Sequence, residues 1–173
     1  NQHLKAREKL IEEAISFSAA FDKQSADWKA IDTSLNKIQQ RWKESGDVDR
    51  SEYGKLQTKF NNAIKPVKQA IYEYHLENCE LKKSIIEQAK AELESEDINA
   101  TVNKLKSLQA KWREIGFAGP REENKLWSQF RKINDAVFSR RDQESEKEKN
   151  QQSQFKEEMS QKLETIITGF EIR

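Results

Sequence analysis

Two tryptophans, Trp42 and Trp112, stand 70 residues apart in matching surroundings. Leu35, Ile38, Gln39, Glu44 and Gly46 around the first answer to Leu105, Leu108, Gln109, Glu114 and Gly116 around the second. Sliding residues 35–68 onto 105–138 without a gap gives 10 identities in 34 positions. The chain is therefore a tandem repeat, with a period longer than the ~50 residues usual for solenoids.

The local pattern names the repeating element. Trp28, Ile31, Leu35, Ile38 and Trp42 recur at spacings of 3, 4, 3 and 4, the seam of a helix packed on partners. The second copy reads Ile98, Thr101, Leu105, Leu108, Trp112 and Ile115. Ser25, and Ser95 one period later, are expected to cap these helices, with Asp27 and Asp97 in the first turn. Gly46 and Gly116 are expected to end them in left-handed backbone. Asp49 to Glu52 then has capping-box spacing, and Pro120 falls where a first helical residue belongs.

Long return helices follow. One carries Tyr53, Leu56, Phe60, Ile64, Val67, Ile71, Tyr74, Leu81 and Ile85 and meets no stop signal before Glu94 and Ser95. Its length of about 43 residues corresponds to ~65 Å, with a kink expected at Pro66. The other, from about residue 121, carries Leu126, Trp127, Phe130, Ile133, Val137 and Phe138, then a polar stretch over 140–154 that reads as a solvated helix or a frayed linker. A leading helix over residues 1 to about 22 bears Leu4, Leu10, Ile11, Ala14, Ile15 and Phe21.

The expected fold is all-α: elongated tandem helical repeats with long shared helices packed in antiparallel coiled-coil-like bundles. A first repeat spans 1–75, a second 76–145, and 146–173 begins a third. Composition agrees. With 35% charged and 35% hydrophobic residues and a mean hydropathy of -1.01, the chain suits an extended helical body, which needs only a narrow apolar stripe.

The motif Leu-x-x-Leu-Gln-x-x-Trp-x-x-Ile-Gly, then Pro-Arg-x-x-x-x-Leu-Trp-x-x-Phe, then Phe138, resembles the bacterial helical repeat family known as domain of unknown function 349. The second copy carries it in Leu105, Leu108, Gln109, Trp112, Ile115, Gly116, Pro120, Arg121, Leu126, Trp127, Phe130 and Phe138. The first departs from it at Ser45, Arg50, Gln57 and Lys68. The resemblance covers roughly residues 25–140 and implies tandem helical repeats in a bacterial cytoplasmic protein. It implies no activity.

Chemistry is poorly represented. His3 and His75 lack partners at metal-ligand spacing, since Glu77 and Cys79 point to different sides of a helix from one another. Cys79, the single cysteine, excludes an internal disulfide framework and points to a reducing compartment. It reads as a small apolar helix residue despite Lys82 and Lys83 nearby. The five glycines form no phosphate loop. No enzyme, metal or cofactor is expected, and no apolar run is long enough for a membrane span. Asn1 at the start and the cluster Ile166, Ile167 and Phe170 near the end read as a segment cut from a longer protein.

Aromatics at seam positions are expected to anchor cores rather than stack on bases. The anchors are Trp28, Leu35, Trp42, Gly46 and Phe60 in one copy and Leu105, Trp112, Gly116, Pro120, Leu126 and Phe130 in the other. Trp127 stands apart, because Leu126 already occupies the seam.

Charge nearly cancels overall, with 31 basic and 30 acidic residues, yet from Lys104 to Arg141 ten basic residues face four acidic ones, a local balance of +6. Lys111, Arg113, Arg121, Lys125 and Lys132 are the candidate anion or nucleic-acid contacts, with Arg121, Lys125 and Lys132 expected to share a helical face. The expected function is a non-enzymatic helical-repeat binding or scaffold module of a larger bacterial protein, cytoplasmic, with a protein partner and no membrane. RNA or DNA held by the basic second repeat is the rival, and a second copy of the chain is a further candidate partner.

Overall fold

The computed structural model describes the backbone of residues 2–172 and side chains through residue 169; Phe170 lies outside the described side chains. Five helices follow one another: α1 (Gln2–Ala20), α2 (Trp28–Lys43), α3 (Arg50–Ala91), α4 (Ile98–Glu114) and α5 (Glu123–Ile172). A single 3-10 turn, Glu92–Glu94, closes α3, and the described residues contain no strand. The fold is all-α. α3 runs through Pro66 as one 42-residue helix. The ladder bond that Pro66 cannot donate would have ended on the carbonyl of Asn62, an exposed residue.

The chain divides into two compact units, Asn1–Asn78 with Phe117–Gly119, and Cys79–Gly116 with Pro120–Arg173. In the first, Leu10, Ile11 and Ala14 of α1, Leu35, Ile38 and Trp42 of α2, and Leu56, Phe60, Ile64, Val67 and Ile71 of α3 form one buried cluster. Trp42 stacks on Phe60 with centroids 4.2 Å apart and planes 2° from parallel. Trp28, half-buried, stacks on Tyr74 at 4.3 Å. These indoles are core anchors, each burying on the order of 150 to 250 Å². The first unit also holds the Asn78 amide, which donates to the Phe117 carbonyl at 2.9 Å.

The second unit repeats the scheme. Leu105, Leu108 and Trp112 of α4 meet Leu126, Phe130, Ile133 and Val137 of α5, all buried, and Trp112 stacks on Phe130 at 4.6 Å. The stretch 140–154 is helical and almost wholly exposed, which settles the choice between solvated helix and frayed linker in favour of the former.

Several local expectations are corrected. The helix caps are Asp27 and Asp97, whose carboxylates accept from the N–H groups of Ala30 and Ala100. Ser25 spends its hydroxyl on Asp22 at 3.0 Å, and a carboxylate three residues before an orphan N–H is the stronger acceptor there. Gly46 has φ +86° as expected, but in the second copy the left-handed residue is Gly119, with φ +102°, and not Gly116. The cause is Ile115, which leaves α4 in extended backbone at φ -84°, ψ 136° and postpones the reversal. Pro120 consequently lies in a turn three residues before α5 starts at Glu123, not at its first position. Ile15 and Leu81, placed on apolar stripes, are 54% and 47% exposed.

The Leu81 error exposes a second register. The buried residues of α1 (Arg7, Leu10, Ile11, Ala14) correspond to Lys82, Ile85, Ile86 and Ala89, an offset of 75 and not 70. Fourteen residues separate Ala14 from Trp28, whereas nine separate Ala89 from Ile98. The connection ahead of the tryptophan helix is thus five residues shorter in the second unit, and a constant period puts the leading helix on the wrong face.

Candidate functional site

The offset of 75 uncovers a feature that hydrophobic spacing passes over. In each unit a buried cation from the leading helix lies on the repeat tryptophan. Arg7, 5% exposed, holds its guanidinium carbon 4.6 Å from the Trp42 ring centre and 5.4 Å from that of Tyr53, and donates from Nε and Nη2 to the Gly46 carbonyl at 3.0 and 2.7 Å. Lys82, 3% exposed, places Nζ 5.1 Å from the Trp112 ring centre and 2.5 Å from Glu123 Oε1. Glu123 is the 70-residue counterpart of Tyr53. The available signal was a charged residue inside an apolar stripe.

These groups hold the fold together; ligand chemistry needs accessible ones. Lys111, Arg113, Arg121, Lys125 and Lys132 are all exposed or half-buried at the surface, and among the described residues none has an acidic partner. They do not form one face. Arg121 lies in the turn before α5, so it does not share the helical face of Lys125 and Lys132. Those two stand about 140° to 160° around the helix from Trp127, at 3.6 residues per turn.

Of the five, only Arg113 lines a cavity of about 380 Å³ between α4 and α5 in the second unit. Its walls are Trp112, Trp127, Phe130 and Phe138, with Gln109, Arg113, Arg131, Asn134 and Asp135 around them. The α5 contributors Trp127, Arg131, Asn134 and Phe138 recur every three or four residues, so they share a face. Trp127 is 50% exposed, and its ring lies 6.1 Å from Trp112 and 6.4 Å from Phe130. Gln109 donates to Asn134 at 2.8 Å, and Asn134 donates to the Phe130 carbonyl at 2.7 Å, so this amide pair is fixed. Arg131 faces Asp135 at 3.8 Å, with both side chains about 70% exposed.

Sequence reasoning singled out Trp127 but missed Arg131 and Phe138 as its neighbours. The first unit carries different residues at the corresponding positions. Gln57 replaces Trp127 there and accepts from Trp42 Nε1 at 2.9 Å, while Lys68 replaces Phe138.

A different surface lies further along α5. Phe155, Met159, Leu163, Ile166 and Ile167 follow helical spacing and are 44–64% exposed. Among the described residues no group of His, Cys, Asp and Glu could hold a metal. His3 donates from Nδ1 to the Asp47 carbonyl at 2.8 Å, His75 meets Phe117 edge-on, and Cys79 is a buried free thiol. No described helix is long and apolar enough to cross a membrane.

The architecture defines a class: an all-helical protein built from repeats in which a tryptophan-bearing helix packs between longer ones. The pattern of the family described as Domain of Unknown Function (DUF349) matches residues 1–51 and again 50–121, and the chain belongs to that family. The two matches meet at the start of α3. No curated protein and no solved structure matches the chain.

Proposed function

We propose that the chain is a non-enzymatic helical-repeat module that binds or scaffolds another macromolecule, and that residues 146–173 act as the leading helix of a third repeat. The observation that supports this reading is the uncovered stripe of α5. Five large apolar side chains on one helical face, each about half exposed, are unusual on a surface that is otherwise charged. In the first unit the corresponding leading helix buries its apolar face in one cluster with the tryptophan helix, and in the second Ile85, Ile86 and Ala89 are buried on the same helix as Lys82, whose ammonium lies on Trp112. The occupant this chemistry fits is an amphipathic helix of the same type, carrying Leu and Trp at spacings of 3 and 4.

Affinity capture from a cell lysate, with and without nuclease, compares the wild-type chain with Leu163→Glu/Ile166→Glu. Nuclease-resistant protein partners lost on substitution support the reading. Identical partners for both chains, or solution mass that shows the wild type pairing only with itself, reject it in favour of no docking role or of a homodimer respectively.

A second reading, association with RNA or DNA, is favoured by the five unpaired cations of the second repeat. Replacing Arg121, Lys125 and Lys132 with Glu is expected to remove binding, and wild-type binding is expected to weaken steeply with salt. Absence of binding at low salt ends this reading.

A further inference from the structure

We infer that the groove between α4 and α5 is a stacking site for one unpaired base of a single-stranded nucleic acid, with Trp127 as the platform and Arg113 on the adjoining phosphate. The inference rests on the nucleic-acid reading above and names where that reading acts.

Three features carry it. First, Trp127 offers half of an indole to solvent although Leu126 beside it already fills the core, so its packing role is small. Second, Trp112 Nε1 has no acceptor within the chain among the described residues, whereas its counterpart Trp42 Nε1 is held by Gln57. The amide that ties down the repeat indole in the first unit is thus replaced here by the half-exposed Trp127 ring. Third, Arg113 stands at the rim exposed and unpaired. An aromatic platform with a nearby unpaired guanidinium is the combination that binds single strands with little sequence preference.

Asp135 sets the polarity of the site. It sits beside Arg131 at 3.8 Å and opposes a phosphate at that end, so the backbone of the strand lies toward Arg113. Lys125 and Lys132, on the far side of α5, do not reach the groove and supply only long-range attraction.

The first unit provides a substitution compatible with the fold, because Gln already occupies the Trp127 position there. In Trp127→Gln the new amide can accept from Trp112 Nε1 and close the groove. The assay is anisotropy of a labelled decauridylate titrated with the whole chain at several salt concentrations. Trp127→Gln is expected to weaken binding by about 5- to 150-fold, the range for one stacked base, with an unchanged salt slope and unchanged helical circular dichroism. Trp127→Phe keeps a ring and recovers part of the loss. Arg113→Gln lowers the salt slope by about one, and Asp135→Asn tightens binding.

If Trp127→Gln binds within twofold of wild type while Lys125→Glu/Lys132→Glu binds weakly, the groove is not the site although the nucleic-acid reading stands. If wild type binds no oligonucleotide at low salt, both fall. Equal affinity for a duplex of the same length also overturns stacking, since a paired base cannot enter the groove.

Discussion

Replacing Lys82 with Met tests the buried cation directly. The methionine keeps most of the volume and removes the charge, so the effect isolates the ammonium from the stem that packs with it. Nζ is 2.5 and 2.9 Å from the two Glu123 oxygens and 5.1 Å from the Trp112 ring centre. Breaking a fully buried ion pair costs about 3 to 5 kcal/mol, because the remaining charge has no partner. Glu123 is not fully buried, however: its side chain is 27% exposed, and as the first residue of α5 it gains from the helix dipole. Water and dipole together reduce the expected loss to about 2 kcal/mol. The double variant Lys82→Met/Glu123→Gln removes both charges and is expected to lie within about 1 kcal/mol of wild type. The sign of the second step is the sharp part: taking away Glu123's charge destabilises the wild type and stabilises Lys82→Met. Urea unfolding followed by circular dichroism measures all four chains of the cycle. A Lys82→Met chain as stable as wild type, or a coupling below about 0.5 kcal/mol, refutes the argument.

Two further outcomes follow from local geometry. Asp97→Ala is expected to cost about 1 kcal/mol in urea unfolding by removing the bond to Ala100 N–H, whereas Ser95→Ala changes stability by less than about 0.5 kcal/mol; the reverse order would return the cap to Ser95. In the first unit, the hydrogen bond from Arg41 to Glu13, 2.6 Å long, holds the Glu13 carboxyl below its ordinary range. The unfolded chain therefore binds the proton more readily, so the stabilisation is present above the ordinary Glu value of about 4.3 and is lost as pH falls through the lowered one. Glu13→Gln should show a shallower loss of stability than wild type across that acidic window, and parallel curves would show that the pair contributes nothing.

The parts legible in the sequence were those set by periodicity. Trp42 and Trp112, the 3 and 4 spacings around them and the unbroken apolar run of α3 specify helices and their buried faces, because a helix has one period and a mismatch exposes core residues. Parts set by competition between neighbours were less legible. Ser25 and Asp27 can both cap α2, and the choice depends on whether Asp22 engages the serine first. Gly116 and Gly119 can both reverse the chain, and Ile115 decides by leaving α4 extended. The groove was legible only as an anomaly, an extra tryptophan beside a seam leucine. Its other wall comes from α4, fifteen residues earlier at Trp112, and spacing along one helix does not report a partner on another.

The two buried cations show why the leading helices resist alignment although they do the same work. What repeats is a contact: positive charge on the face of the tryptophan that ends each central helix. An arginine fills that role without an acidic partner. Its flat guanidinium lies between Trp42 and Tyr53 and directs two donors to the Gly46 carbonyl, although Nη1 is left buried without an acceptor. A lysine is a compact charge that gains less from two ring faces and requires a counter-charge. The residue at the Tyr53 position has accordingly become Glu123. The exchange is therefore asymmetric: in Lys82→Arg the guanidinium keeps the Glu123 carboxylate as its partner, whereas in Arg7→Lys the ammonium has no carboxylate to meet. The cation and the residue at position 53 or 123 form one unit of specificity, separated by 46 positions in the first copy and 41 in the second.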